Sequence, residues 1–150
     1  MADPTTIRTL FLHPHPTYSV AEASVILAMD EEDVRGWIEV GELEGVDSAA
    51  GLVVPWPEVV AFGMDFWSQD IVEEALGADV VRAIPELLRL SQLEVRIPRL
   101  EVVALERVAA RDGKTVDAVL ARELLDFVSA HAEWLEGEIP GFAAALAWPG

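Results

Sequence analysis

One short stretch constrains this chain more than any other. Leu93, Val95 and Ile97 alternate with Gln92, Glu94 and Arg96, the period of two that sends apolar side chains to one face of a strand and polar ones to the other. Pro98 stops strand pairing, and no second strand-like run lies near in sequence. A strand by itself leaves its N–H and C=O groups without partners. The same stretch from a second copy can supply them, so the pattern points to a homodimer whose dimer strand carries Leu93, Val95 and Ile97.

Two helices are expected next. Val102, Leu105, Val108 and Ala109 form a stripe at helical spacing, and Gly113 sits where a left-handed C-cap belongs. Thr115 suits the N-cap of a second helix with the stripe Val116, Val119, Leu120, Leu124, Phe127 and Val128. A lone amphipathic strand, two helices and a Gly-Lys-Thr entry to the second resembles the ribbon-helix-helix family of dimeric DNA-binding proteins. That resemblance implies base contacts from the outward Gln92, Glu94 and Arg96. It also implies phosphate contacts from Arg99 and, at the second helix's N-terminus, Lys114 and Thr115. Gln and Arg present suitable donors to adenine and guanine edges, and a helix N-terminus favours phosphate. Glu94 would meet a polyanion.

Charge enters here, because DNA affinity comes largely from neutralised phosphates and the formal net charge is −17. Its distribution decides more than its sum. Residues 1–66 hold Arg8 and Arg35 against twelve acids, whereas residues 92–122 hold six of the ten basic residues against five acids. A surface that meets DNA is therefore expected within 92–122.

The earlier part of the chain gives a different pattern. Residues 1–16, with Pro4, Pro14 and Pro16, read as an arm. Ser19 and Glu22 form a capping box opening a helix toward Met29. Asp30 is placed to cap a second helix with Val34, Trp37 and Ile38 on its apolar face and Gly41 at its end. Leu43–Val46 and Leu52–Val54 flank 47–51 as a hairpin, and Pro57 starts a helix toward Trp67. The runs YSVAEASVILAMDEEDVRGWIEVGELEG and VPWPEVVAF resemble excisionase and MerR-type winged helix-turn-helix domains. The resemblance makes 31–39 a recognition helix, with Glu32 and Arg35 as weak DNA contacts. Its exposed face would be Glu31, Glu32, Arg35 and Glu39, where that family usually carries hydroxyl and basic residues. An acidic face of this kind also suits a basic protein partner, as an antitoxin or adaptor would have.

The expected fold is mainly α with small β: an arm (1–16), a winged helix-turn-helix domain (17–67), a helical connector (68–91), a ribbon-helix-helix-like unit (92–132) and a helix end with an apolar tail (133–150). The connector is expected to break at Gly77-Ala78-Asp79 and at Ile84-Pro85, and the last helix to run on from Val128 through Trp134 toward Ile139. The tail from Phe142 to Trp148 is expected either to fold back or to dock a partner.

Other chemistry finds little purchase. The chain has no cysteine, which removes disulfides and thiolate chemistry. His13 and His15 in a proline-rich run lack a third ligand near in sequence, so no metal is expected. There is no phosphate-cradling glycine run or nucleophile elbow, and the acids fall on solvent faces. No enzymatic activity and no cofactor are expected. No apolar run reaches the roughly 18 residues of a membrane span, so no membrane association is expected and a cytoplasmic location is. The leading expectation is a homodimeric DNA-binding transcriptional regulator; an antitoxin-like or adaptor protein-binding module is the alternative, and a purely assembling dimer with both DNA-binding folds degenerate is the third.

Overall fold

The computed structural model describes residues 2–150. The chain is mainly helical with one small antiparallel sheet, and it divides into two units: residues 2–90 with 147–150, and residues 91–146.

The first unit begins with a helix where an arm was expected. In α1 (Pro4–Leu12) the Asp3 carboxylate accepts from the Thr6 N–H, and Pro4 occupies the first turn, where a missing N–H costs nothing. Ile7, Leu10 and Phe11 fall on one face and are buried. The prolines at 4, 14 and 16 only bracket this helix, and its spacing of three and one was too short to stand out. Arg8 fastens α1 to α5 (Gln69–Leu76). Its guanidinium donates to the Ala75 and Leu76 carbonyls at 3.0 and 2.7 Å and to the Asp79 carboxylate at 2.6 Å. A cation thus sits on the carbonyl end of α5, where the helix dipole favours it.

Two helices joined by a short turn follow where two were expected. α2 (Val20–Leu27) opens with a complete capping box: the Glu22 N–H donates to Ser19 Oγ at 3.1 Å, and the Ser19 N–H donates to Glu22 Oε2 at 2.7 Å. Ala28, at φ 54°, ends it in the left-handed region. α3 (Glu31–Glu39) starts after Asp30, whose backbone has capping geometry although its side chain makes no capping hydrogen bond. The hairpin is tighter than expected, with β2 (Val46–Ser48) and β3 (Gly51–Pro55) turning through Ala49 and Ala50. A further strand, β1 (Thr17–Ser19), pairs with β3 through Tyr18 and Val54 and gives the order β1-β3-β2. Three residues are too few for alternation to reveal it.

α4 (Trp56–Phe66) closes this part. A Cβ on Gly63 would strike the Trp67 indole, so only glycine lets that ring lie against the helix. Residues 68–90 of the segment 68–91, expected as a connector, are instead built into the first unit. Val72, Leu76 and Ile84 are fully or nearly fully buried with Ile7, Leu10, Val34, Val54 and Val59, and α6 (Val80–Ala83) follows one tight helical turn at Gly77–Asp79. Asp79 does not cap α6 with its side chain, because that carboxylate is taken by Arg8 and Arg82. The extreme C-terminus belongs here too: Trp148 stacks on Phe11 at 6.3 Å between centroids and meets Trp56 edge-on at 6.5 Å. That part of the apolar tail is therefore covered within its own chain.

The second unit holds α7 (Arg99–Asp112), α8 (Val116–Ala130), α9 (Ala132–Glu138) and α10 (Phe142–Leu146). α7 and α8 pack as a hairpin. The long last helix breaks at His131, whose ring Nδ1 lies 2.9 Å from the Phe127 carbonyl oxygen. Residues 91–98 form neither strand nor helix and follow a course without turn or bend. A ladder needs two lengths of backbone, and none of the described residues pairs with this one.

Two outcomes follow for the first unit. Ile7→Ala should destabilise it by about 3 kcal/mol in urea unfolding, the usual size for a buried large-to-small change; a free arm would give no measurable loss. The Ser19 N–H holds the Glu22 carboxyl below its usual range. Its contribution is therefore fully present above the unfolded value of about 4 and fades as pH falls through the lower folded value. In urea midpoints followed from about pH 7 to about pH 3, Glu22→Gln should show a shallower acid loss than the parent.

Candidate nucleic-acid interface

In the second unit, Gln92, Glu94 and Arg96 are exposed, but so are Leu93, Val95 and Ile97, at 78, 51 and 41%. No residue from 91 to 97 makes a backbone hydrogen bond among the described residues. The segment thus presents backbone donors and acceptors to solvent along its edges, beside uncovered apolar side chains.

The helix hairpin behind it has the same character. Among the residues of α7 and α8 only Ala109 is buried, and in the rest of the unit only Phe142. Leu100, Leu125 and Phe127 stand 79, 55 and 58% exposed. A unit of this length with so little apolar surface covered has almost no hydrophobic stabilisation of its own.

The turn between α7 and α8 is well made. Gly113 takes φ 63°, the left-handed geometry its position demanded, and the Lys114 N–H closes on the Ala109 carbonyl at 2.9 Å. Thr115 Oγ accepts from the Ala118 N–H at 3.1 Å, leaving its own proton free to donate. Lys114 and Thr115 are exposed beside the positive end of α8. Asp112 lies beside them. Its carboxyl is held low first by the hydrogen bond from Arg111, with Nε to Oδ1 at 2.7 Å, and further by the charges of Arg111, Lys114 and Arg122. The charge of Arg122, one of the six cations of 92–122 to which the sequence assigned no phosphate contact, thus also acts on Asp112. The signal was present: Arg122 lies seven residues after Thr115, two turns along one helix face.

Arg99 begins α7 directly after Pro98 and is exposed. Its position at an N-terminus carries no favourable dipole contact, which leaves it open to an anion.

In the first unit the expected recognition helix α3 presents Glu31, Glu32, Asp33, Arg35 and Glu39 to solvent. Its acidic first turn complements its own helix dipole and would repel phosphates. Trp37 does not lie flat in a core. It is 38% exposed and meets Phe62 and Phe66 edge-on at 5.6 and 6.4 Å. His15 packs against Tyr18 at 5.7 Å between ring centroids, and no group of three potential metal ligands gathers among the described residues. No helix is long and apolar enough to cross a membrane among the described residues.

Comparison of the chain with protein-family models, curated proteins and solved structures finds no match.

The N-cap at Thr115 gives a test within this unit. Thr115→Ala should cost about 1 kcal/mol of helix stability, read as a loss of far-UV helical signal on heating, while Thr115→Ser should restore it.

Proposed function

We propose that the protein is a homodimeric DNA-binding regulator that meets duplex DNA through a two-stranded ribbon formed by residues 92–97 of two copies. The observation that carries this reading is the exposed, unpaired segment with alternating side chains, followed by a helix hairpin that buries almost nothing by itself. Two such segments side by side would satisfy each other's backbone. Four helices packed beneath would cover the apolar stripes, and the twisted ribbon would suit a major groove.

In this reading Gln92 and Arg96 reach base edges, while Arg99, Lys114, Thr115 and Arg122 engage phosphates. Pairing two copies doubles the six cations of 92–122 on one side. The helix-turn-helix half then acts as a dimer support or regulatory surface, with Glu32 and Arg35 adding little affinity. The two-fold axis implies a palindromic site.

A second reading is favoured by the exposed carboxylates of α3 and the adjacent Phe66, 59% exposed: an antitoxin-like or adaptor surface on the first unit for a basic protein. The two readings occupy different units and are compatible in one molecule.

Fluorescence-anisotropy titration of mixed-sequence and selected duplexes at low salt tests the first reading, and absence of any binding overturns it. Arg96→Ala should weaken the selected duplex by about 1–3 kcal/mol and blur its base preference. Lys114→Ala should weaken all duplexes alike and lower the salt slope by about 1.

A further inference from the structure

Resting on the homodimer reading above, we infer that the second copy pairs in a single register, with Val95 facing Val95 of the partner subunit on the two-fold axis and Glu94 facing the partner's Arg96. The juxtaposition follows from the order of charges in the one segment that has no partner within its own chain. Antiparallel strands related by a two-fold axis place residues of equal distance from the axis opposite one another, and side chains that are to share a face restrict the axis to a residue position. Three positions bring the apolar residues onto one face with several pairs formed: Glu94, Val95 and Arg96.

With the axis at Glu94, two carboxylates lie directly opposite and Ile97 faces Ser91. With the axis at Arg96, two guanidinium groups lie opposite, and Pro98, which has no N–H to donate, falls into the ladder against Glu94. Like charges directly across a strand pair repel. With the axis at Val95, Leu93 faces Ile97 on the apolar side. On the polar side Glu94 faces Arg96 twice, once on each side of the axis, with Cβ atoms about 4.5–5.5 Å apart. Pro98 falls at the frayed end, opposite Gln92. Only this register pairs every charge of the segment with its opposite.

The consequence is chemical as well as geometric. Glu94, which would otherwise confront phosphates, is neutralised in trans, and Arg96 is held extended along the outward face of the ribbon. The segment is also selective: a strand lacking an acid and a base two residues apart could not replace the second copy.

The chain has no cysteine, so an introduced one is its sole thiol. Full-length V95C under mild oxidation should form a disulfide-linked dimer on a non-reducing gel. E94C and R96C alone should cross-link poorly, since their own copies lie about 7–8 Å apart across the diagonal, beyond the Cβ separation a disulfide tolerates. Their mixture should cross-link. In sedimentation equilibrium, E94R and R96E should each weaken the dimer by roughly tenfold or more, and E94R/R96E together should return it near the parent value. Cross-linking through E94C or R96C alone, or failure of the double exchange to recover, overturns the register while leaving the ribbon dimer standing. A parent chain that sediments as a monomer, with no thiol variant cross-linking, overturns the dimer along with it.

Discussion

Strand-like backbone gains its stability from a paired neighbour, and apolar faces must be covered; in residues 91–146 the segment 91–97 makes no backbone hydrogen bond and most apolar side chains stay exposed. Eight consecutive residues contribute no strand or helix, and α7 and α8 together bury a single alanine. The first unit is the opposite case. Its core runs from α1 through the sheet to α5 and α6 and keeps Ile7, Val34, Val54, Val59, Val72 and Leu76 from water. The contrast between a finished unit and an unfinished one is what the proposed assembly explains.

Electrostatics divides the chain along the same line. The first unit carries acid on its exposed helix α3, satisfied by the helix's own dipole rather than by cations. Its partly exposed ion pair between Arg8 and Asp79 fastens α1 to the end of α5. The second unit carries cations at the approach to α7 and at the turn before α8, where Arg111 pairs with Asp112 and the charges of Lys114 and Arg122 also act on it. By charge alone, the acidic surface of the first unit repels a polyanion more strongly than residues 92–122 do.

Local rules and packing also separate cleanly in how the elements arose. The Ser19–Glu22 capping box, the Gly113 left-handed turn and the Thr115 cap depend on residues within a few positions of one another, and each forms from sequence alone. Helix α1, strand β1 and the docking of Trp148 depend on partners 30 or more residues distant. Leu10 provides the carbonyl that the Trp56 indole N–H reaches at 2.8 Å, and Tyr18 lies opposite Val54. Nothing near either residue announces the other.

What the sequence by itself determined is therefore the local grammar: the mainly helical class with a small sheet, the two successive helices of 19–39, the hairpin, the alternation at 92–97 and the turn at 113–115. These follow from caps, glycine geometry and side-chain period, which act over one or two turns. Only the tertiary structure decided that residues 4–12 are a helix rather than an arm, that 68–90 complete a core rather than connect two domains, and that residue 148 returns to Phe11 and Trp56. The physical reason is that burial is a property of two surfaces meeting. A short stripe such as Ile7, Leu10 and Phe11 becomes a helix face only when α5 is there to cover it.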